Sequence, residues 1–467
     1  MEKIPEKVIA ISSAIRESGG RALLVGGCVR DQLMSLEPTD WDLEIYEVEP
    51  AMVRSILDQF GPVNVVGESF TVYKLGSDID VSLPRRERKV GRGHRAFVVE
   101  GDPGMSVVDA TRRRDFTINA ILKDPITGEI IDPYDGRKDI ETGVLRAVAA
   151  ETFPEDSLRV LRAAQLASRF QFDIDDKTVE LCRTIDLDDL PCERIWGEIE
   201  KLLLRSHKPS IGLRHLRELL VIDKLFPEIK RLIGVRQDPV WHPEGDVFVH
   251  TQLVIDVARQ LIDELPYAKK VTVMLAALAH DFGKPATTKF QEGHWRSLGH
   301  AEAGVGATER FLDRLNIHTI DNYDVRTQVV ALVKDHLKPG EFFKKRDEVG
   351  EGAFRRLARR CEPDLLYRVA KADSLGRNAE WVPKEKWFNS EAQEWFIERA
   401  RELQVDSGPP QPLLLGRHLL EMGLEPGIRI GEITAAIYEM QLDGRVRSVD
   451  EAKNAAKVLL GIKQNQN

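Results

Sequence analysis

The sequence predicts an α+β protein with an N-terminal mixed β-sheet domain followed by all-α domains. In the first ~150 residues, strand-length apolar runs alternate with amphipathic helices. From Thr152 onward, apolar residues recur almost wholly at helical spacing. The chain has 467 residues, of which 42% are hydrophobic and 31% charged. These values are typical of a globular protein with about three domains.

The elements of the first domain follow in order. An amphipathic helix is predicted over residues 8–17, and the apolar strand ALLV (22–25) leads to the Gly26-Gly27 turn. A second strand is WDLEIY (41–46), and GEIIDPY (128–134) closes the domain. The third strand, SDIDVSL (77–83), alternates strictly, so Asp78 and Asp80 share the face opposite Ile79.

The rest of the chain is predicted to be helical. Thr152 to Glu155 reads as a capping box, and helices follow at 193–204 and 271–280. The segment GVRQDPVWHPEGD (234–246) interrupts them, and SGPPQP (407–412) is predicted to be a linker. We therefore expect domains over residues 1–150, 151–235, 236–405 and 406–467.

Composition excludes several classes. The net charge of −9 argues against a wholly basic nucleic-acid binder, and no apolar stretch reaches the ~20 residues that span a bilayer. The four cysteines form no C-x-x-C pair, and the chain starts without a signal-peptide pattern. We expect a cytoplasmic protein with no membrane partner and no DNA partner. Six basic residues within 85–95, RRERKVGRGHR, predict a local phosphate-facing surface.

Two carboxylates flank Trp41 in the second strand. Asp40 and Asp42 point the same way because residues two apart on a strand share a face. Asp80, from the third strand, could supply another oxygen, although Asp78 shares its face and the choice between them stays open. Close carboxylates favour a cation between them, and hard oxygen ligands suit Mg²⁺. The alternative is a solvated strand face.

A glycine turn precedes these carboxylates by about ten residues. Gly26 and Gly27 would let the backbone approach a triphosphate closely, and Arg30 could pair with its oxygens. Together with D-x-D, this spacing indicates a nucleotide site.

These motifs resemble the head of the class II tRNA nucleotidyltransferases of the polymerase-β-like superfamily. The resemblance rests on LLVGGCVRD (23–31), DWDLEIY (40–46), RRRDFTINAI (112–121), IIDPYDGRKDIETGVLR (130–146), EDSLRVLRAA (155–164) and ERIWGEIEKLL (193–203). It implies addition of C, C and A to tRNA 3′ ends from CTP and ATP. It also implies that Arg114, Asp115 and Asn119 contact ribose and phosphate. Bacterial poly(A) polymerases share this head.

The resemblance assigns base reading to Asp156 and Arg159. With Arg162, they are spaced three apart and would share one helix face. A carboxylate accepts from an exocyclic amine and a guanidinium donates to a ring acceptor, which suits C and A. The alternative is a surface ion pair. Gln165 stands where the family usually has Arg, which weakens one expected positive contact.

The basic segment RKVGRGHRAF (88–97) lies where the family places a flexible loop. The family's loop is thought to help the switch from C to A, and enzymes that add only C have it shortened. Its presence favours CCA addition, or A addition, over addition of C alone.

Seven of the eleven histidines fall between His242 and His336. Their order resembles the all-helical HD phosphohydrolase superfamily, with the expected ligands being His250, His280, Asp281, His300, His336 and Asp373. Imidazoles and carboxylates suit a divalent transition metal with open positions for water. His242 and His294 fit no required position and are expected to be structural. The tail, residues 412–433, resembles a family region that holds the tRNA elbow.

The sequence therefore predicts a CCA-adding tRNA nucleotidyltransferase with a metal-dependent HD phosphohydrolase domain. One alternative is a poly(A) polymerase or an enzyme that adds only A. Another, from a different class, is an HD nucleotide or cyclic-phosphate hydrolase with an RNA-binding head.

Overall fold

The computed structural model describes residues 4–66, 72–89 and 97–460, which fall into two compact units, Met1–Leu225 and Phe226–Asn467. Most of the predicted flexible loop, residues 90–96, lies outside the described residues. Among the described residues, no helix combines the length and apolar character that crossing a membrane requires.

The first unit contains a seven-stranded sheet in the order β3-β4-β5-β2-β1-β8-β9. All neighbouring strands in it are antiparallel except β2 and β5, which are parallel. Two further two-stranded ladders are β6-β7 and β10-β11. The strands are β1 (Arg21–Val25), β2 (Trp41–Tyr46), β3 (Val63–Val66), β4 (Val72–Leu75), β5 (Ile79–Ser82), β6 (Arg85–Lys89), β7 (Phe97–Gly101), β8 (Leu122–Lys123), β9 (Ile130–Ile131), β10 (Val144–Leu145) and β11 (Asp173–Ile174).

Helices pack against both faces of this sheet and continue beyond it. They are α1 (Glu6–Glu17), α2 (Gly27–Leu33), α3 (Pro50–Leu57), α4 (Val107–Arg112), α5 (Gly136–Thr142), α6 (Leu158–Phe170), α7 (Asp176–Thr184), α8 (Cys192–Arg205), α9 (Pro209–Glu218) and α10 (Val221–Leu225). Short 3₁₀ turns lie at Thr117–Asn119 and Phe153–Glu155. Leu43 and Ile45 of β2 are fully buried with Ile11 of α1 in the apolar core. The alternate residues of β2 therefore face away from this core. Asp42 is one of them, whereas Tyr46 is buried in a second apolar cluster on that face.

The capping box predicted at Thr152 is wrong. Residues Phe153–Glu155 form a 3₁₀ turn, and the Thr152 hydroxyl donates instead to the backbone carbonyl of Arg112. The following residue, Asp156, has extended backbone, so α6 begins only at Leu158. The local sequence predicted a helix start here, but the Thr152 hydroxyl bonds to a distant segment and does not cap the helix.

The second unit is helical apart from two short hairpins, as the sequence predicts. Its helices are α11 (Pro227–Lys230), α12 (Val247–Gln260), α13 (Tyr267–Ala279), α14 (Lys284–Thr287), α15 (His300–Arg314), α16 (Val325–Asp335), α17 (Lys338–Lys344), α18 (Glu351–Ala358), α19 (Pro363–Leu375), α20 (Glu391–Glu402), α21 (Gly416–Glu421), α22 (Ile428–Leu442) and α23 (Val449–Leu460). The hairpin strands are β12 (Lys289–Gln291), β13 (His294–Arg296), β14 (Thr319–Ile320) and β15 (Tyr323–Asp324). A 3₁₀ turn spans Lys384–Lys386.

Helix α13 is the centre of this unit. Its residues from Val271 to Ala279 are all buried, as expected for a helix that is apolar on every side. It packs against α12, α16 and α19. These helices carry or precede the predicted HD ligands other than His300, which begins α15, so burial of α13 brings most of the ligands together. The tail helices α21 to α23 form a separate small core around Leu419 and Ile437.

Candidate active site and candidate metal centre

The register of the parallel strand pair places two predicted carboxylates side by side. Asp42 of β2 lies directly opposite Asp80 of β5, and adjacent strands are about 4.8 Å apart. Asp40 immediately precedes β2 on the same face and is exposed. Asp78 precedes β5 in an exposed turn, so the geometry favours Asp80 as the third carboxylate.

These carboxylates create a local excess of negative charge. Burial raises the pKa of Asp42, and Asp80 and Asp40 raise it further, while Arg114 opposes the shift. The ammonium of Lys74, on β4, lies 2.7 Å from one oxygen of Asp80. A carboxylate that is costly to ionise beside two others is stabilised by a cation. The oxygen donors of this site therefore fit a hard divalent cation.

The glycine turn lies against this site. Gly26 has φ +71°, in the left-handed region, and a Cβ there would lie 3.1 Å from Nη1 of Arg114. The same Cβ would lie 3.9 Å from Oδ2 of Asp42. A side chain at position 26 would therefore strain the backbone and crowd Arg114, whereas its contact with Asp42 would be of ordinary length.

A buried hydrogen-bond network connects the other predicted nucleotide residues. Arg30 donates to Asp31 and, at 2.6 Å, to Oδ1 of Asn119. Asn119 in turn donates to Oδ1 of Asp115 at 3.0 Å. Nε of Arg162 donates to the other Asp115 oxygen at 2.9 Å. Burial alone would raise the pKa of Asp115, but Arg162 and these hydrogen bonds hold it below its usual value.

Two adjoining clefts open onto these residues, and Asp42, Arg114, Asp115 and Arg162 line both. The larger cleft is about 700 Å³ and also includes Asp80, Arg85, Asp156 and Arg159. The smaller cleft is about 320 Å³ and also includes Gly26, Gly27, Arg30, Asp40 and Asn119. The structure thus brings together every residue predicted for the head site.

The expected arrangement of the base-reading residues needs correction. Asp156 precedes α6, so only Arg159 and Arg162 lie on the helix. Asp156 pairs with Arg194 of α8 at 2.9 Å. Arg159 donates to the carbonyls of Thr152 and Arg113. These contacts fix the guanidinium at the wall of the larger cleft.

Sequence reasoning missed several basic residues of the clefts. Arg194 lines the larger cleft, and Arg169, Lys201 and Arg205 line the smaller one. Gln165 is buried at the smaller cleft, and Arg169 follows it by four residues on α6. Helical spacing of four could have indicated that Arg169 places a cation near the position where Gln165 lacks one.

The predicted HD residues also come together. His250 lies in α12 and Asp373 in α19, while the other predicted ligands lie at or beside the ends of α13, α15 and α16. Nε2 of His250 is 3.1 Å from Oδ1 of Asp373 and 3.9 Å from Oδ2 of Asp281. Nε2 of His280 is 3.2 Å from the same Asp281 oxygen, and Nε2 of His300 is 3.4 Å from Oδ1. Oδ2 of Asp281 therefore faces His250 and His280, and Oδ1 faces His300.

In His300 and His336, the contact made by Nδ1 fixes the tautomer and leaves Nε2 without a proton. Nδ1 of His300 lies 2.8 Å from the carbonyl of Ser297, and Nδ1 of His336 lies 2.6 Å from that of Val333. Each Nδ1 therefore carries the proton of the neutral ring. Burial and the neighbouring His300 and His280 lower the pKa of His336 to about 4. Nε2 of His300 and Nε2 of His336, two electron-pair donors, are 3.2 Å apart.

Two bare nitrogens at that distance cannot bond to each other, whereas a metal between them would satisfy both. Burial alone would raise the pKa of Asp281, but His280, Lys284 and His300 hold it well below its usual value. The donor set therefore fits a divalent metal.

Glu244 was not identified from the sequence and His242 was expected to be structural, but both lie beside this cluster. Glu244 is fully buried, with Oε1 2.7 Å from Nδ1 of His250 and 2.9 Å from Nδ1 of His242. Burial would raise the pKa of Glu244, but the two imidazoles lower it to about 2. His242 thus lies next to the centre through Glu244. His294 lies 2.6 Å from an oxygen of Asp238.

Comparison with known proteins agrees with this geometry. Three family models match the chain: the poly A polymerase head domain over residues 22–146, the probable RNA and SrmB-binding site of polymerase A over 171–233, and the HD domain over 247–378. The multifunctional CCA protein of Stenotrophomonas maltophilia (strain K279a) is 36% identical over 374 residues, covering 76% of this chain and 86% of that protein. The chain belongs to the multifunctional CCA protein family. The multifunctional CCA protein of Xanthomonas campestris pv. campestris (strain B100) is also 36% identical, over 369 residues, covering 76% and 85% of the two chains.

Solved structures share the fold. The Bacillus stearothermophilus CCA-adding enzyme in complex with CTP matches with a TM-score of 0.60 at 18% identity, covering 99% of this chain and 100% of that one. The Thermotoga maritima CCA-adding enzyme complexed with tRNA matches with a TM-score of 0.56 at 19% identity, covering 98% and 97%. The predicted fold class, and the combination of a nucleotidyltransferase head with an HD domain, are confirmed. Membership of this family implies dependence on divalent metal.

Proposed function

We propose that this protein adds C, C and A to the 3′ end of tRNA, using CTP and ATP, at the clefts of the first unit. The observation that carries the proposal is the register of Asp42 against Asp80 beside the Gly26 turn and Arg114. Three carboxylates next to a close-approach turn and a row of guanidinium groups suit a metal-bound triphosphate. We assign Mg²⁺ to Asp40, Asp42 and Asp80.

Catalysis on this assignment is mainly positioning and charge stabilisation. The tRNA 3′ oxygen forms a bond to the α-phosphorus while the bond to the β-phosphate oxygen breaks, and pyrophosphate leaves. The cation supplies charge neutralisation at the phosphates. Arg114 and Arg30 pair with triphosphate oxygens. Asp115 is held ionised by Arg162, and Asn119 fixes its other oxygen.

We assign base selection to Asp156 and Arg159, which line the larger cleft. Asp156 accepts from the exocyclic amine that C and A share, and Arg159 donates to a ring acceptor. Arg194, which holds Asp156 at 2.9 Å, orients this carboxylate toward the base. At the ring position where C and A carry this amine, U and G carry a carbonyl oxygen, which would leave Asp156 without a donor there.

Incorporation assays test this proposal. Three tRNA transcripts, ending before CCA, after C and after CC, are incubated with labelled CTP or ATP and Mg²⁺. We expect C, C and one A, abolished by Asp42→Ala and Asp80→Ala but retained by Asp78→Ala, a matched control in the exposed turn before β5. A alone on the CC transcript would mean an A-adding enzyme, and long A tracts would mean a poly(A) polymerase. No incorporation would refute the nucleotidyltransferase assignment.

We further propose that the second unit hydrolyses a phosphate ester at a divalent transition metal. Its ligands would be His250, His280, Asp281, His300, His336 and Asp373. The bare Nε2 atoms of His300 and His336, 3.2 Å apart, support this proposal most directly. Bound metal would lower the pKa of a coordinated water. Lys284, 2.7 Å from Asp281, adds positive charge beside the reacting phosphate.

Metal content and hydrolysis test this second activity. The protein is loaded with Mn²⁺, Co²⁺, Ni²⁺ or Zn²⁺ and assayed on 2′,3′-cyclic and monoester phosphates. We expect Asp281→Asn to lose both bound metal and hydrolysis while CCA addition continues. Hydrolysis that is unaffected by Asp281→Asn but lost in Asp42→Ala would contradict the assignment.

A further inference from the structure

A loop of the second unit, residues 237–244, lies beside the cluster of predicted metal ligands. It contacts the cluster through Lys284 at one end and directly at the other. At one end, the Lys284 ammonium donates to Oε1 of Gln237 at 2.7 Å and lies 2.7 Å from Oδ2 of Asp281. At the other end, Oε1 of Glu244 lies 2.7 Å from Nδ1 of His250. The loop is therefore held against the cluster on both sides.

The middle of this loop exposes a large aromatic side chain. Trp241 is 60% exposed, although tryptophan is among the residues that gain most from burial. Val240 beside it is 67% exposed.

Trp241 is the outer end of a continuous wall that starts at a predicted metal ligand. Nη2 of Arg377 lies 3.3 Å from Oδ1 of Asp373. The Arg377 guanidinium carbon lies 5.0 Å from the ring centroid of Phe388. That ring lies 6.4 Å from the ring of Trp241. We call Arg377, Phe388 and Trp241 the aromatic wall.

The order of chemistry along the aromatic wall is that of a nucleotide. A cation lies next to the cluster, where a phosphate would bind, and flat apolar faces follow toward solvent. Base-aromatic stacking tolerates any base because each has a π-face. The Arg377 guanidinium contacts the Phe388 ring and donates to Asp373 through Nη2, and its further N–H groups are the ones that could serve phosphate oxygens.

We propose that the aromatic wall is the base-binding platform of the HD centre, with Trp241 and Phe388 stacking an unpaired nucleobase and Arg377 holding the attached phosphate. This inference rests on the proposed hydrolase function of that centre. It makes Trp241 a specificity residue, because a phosphate ester without a base would gain nothing from it. A base paired in a duplex could not reach the wall, so substrates are single-stranded ends or free nucleotides.

The test compares two cyclic phosphates that differ in the base. Metal-loaded wild type and Trp241→Ala are assayed on guanosine 2′,3′-cyclic phosphate and on glycerol 1,2-cyclic phosphate. Guanosine is used because the head is expected to select C and A. We expect Trp241→Ala to lower kcat/KM for the guanosine ester by roughly 5- to 150-fold, mainly through KM, and to leave the glycerol ester unchanged. Trp241→Phe should recover much of the loss.

A matched control is Tyr267→Ala. Tyr267 is an exposed aromatic residue at the other end of α13 from His280, about 20 Å along the helix. We expect this variant to behave like wild type on both esters. A loss on both esters in Trp241→Ala, or no loss on either, would overturn the proposal. A change in the oligomeric state of Trp241→Ala would also overturn the proposal, because Trp241 would then lie in an interface between two copies of the chain.

A binding measurement separates this inference from the hydrolase proposal. If wild type hydrolyses neither ester, the hydrolase function is wrong. The aromatic wall is then tested by the Kd of labelled guanosine 2′,3′-cyclic phosphate, measured by equilibrium dialysis in EDTA. A Kd raised by a similar factor in Trp241→Ala supports the platform. An unchanged Kd, or no binding by wild type, refutes it.

Discussion

Replacing Arg162 by Met is predicted to destabilise the first unit, because it removes the cation that pairs with the largely buried Asp115. Glu198 keeps Lys201, whose Nζ lies 2.9 Å from its Oε1. Nε and Nη2 of Arg162 both lie 2.9 Å from Oδ2 of Asp115, and Nη1 lies 3.8 Å from Oε1 of Glu198. The side chains of Asp115 and Glu198 are 12% and 4% exposed. Asp115 keeps its hydrogen bonds from Asn119 and the Phe116 amide.

The magnitude follows from burial. Breaking a fully buried ion pair costs about 3–5 kcal/mol. Arg162 is 34% exposed on its side chain, so solvent reduces this cost, and we expect about 2–3 kcal/mol. The matched control is Arg112→Met. Arg112 lies 3.5 Å from Glu151 with both side chains more than half exposed, so its loss should cost under about 1 kcal/mol.

The effect should depend on pH with a definite sign. The folded-state pKa of Asp115 is depressed, so its pairing stabilises the protein above the ordinary Asp pKa of about 3.9 and is lost as pH falls further. The difference between wild type and Arg162→Met should therefore be largest near neutral pH and shrink below about pH 4.

Urea unfolding of the full chain gives the assay. Pulse hydrogen exchange followed by mass spectrometry of the α6 peptide, residues 158–170, reports the first unit specifically. A free energy of unfolding for Arg162→Met within about 0.5 kcal/mol of that for Arg112→Met would refute the reasoning. A pH-independent difference would show that the loss comes from packing and not from charge.

Three further predictions follow from the described contacts. Gly26→Ala should destabilise the first unit by about 1 kcal/mol, measured by urea unfolding, and lower nucleotide incorporation at least tenfold, because φ at this position is +71° and the Cβ would crowd a guanidinium. Glu244→Gln should weaken metal binding by about 10- to 100-fold in calorimetry, because it removes the charge that orients His250. In metal-free protein, the second unit should lose stability as pH falls from about 6.5 toward about 4, because the folded-state pKa of His336 is depressed to about 4. Thermal unfolding of His336→Gln should show a shallower pH dependence over that window.

Controls for these experiments lie close by in the chain. A Cβ at Gly27 would make only ordinary contact, at 3.5 Å from Nη2 of Arg30, so Gly27→Ala should be milder than Gly26→Ala. Equal losses for the two would remove the steric argument. The exposed Glu385, replaced by Gln, should leave metal affinity unchanged. If it weakens binding as much as Glu244→Gln, net charge and not orientation would be responsible.

Local sequence patterns were sufficient for much of the molecule. Strict alternation predicted that Ile79 and Val81 would be buried opposite Asp80, and both are buried. The break at residues 234–246 and the helices around it also match. Strands β3 (VNVV) and β4 (VYKL) were missed, because each has only four residues, too few for periodicity to identify a strand. The order of motifs predicted both sites because each motif brings its own local backbone geometry.

Tertiary structure alone decided which side chains meet. Lys74 reaches Asp80 only because β4 and β5 pair in one register, and Asp156 pairs with Arg194 because α8 packs beside α6. Glu244 reaches His250 only because the irregular loop before α12 folds back over it. Periodicity assigns a residue to a face of its own helix or strand. The partner across that face depends on how distant segments pack, and no local pattern encodes that choice.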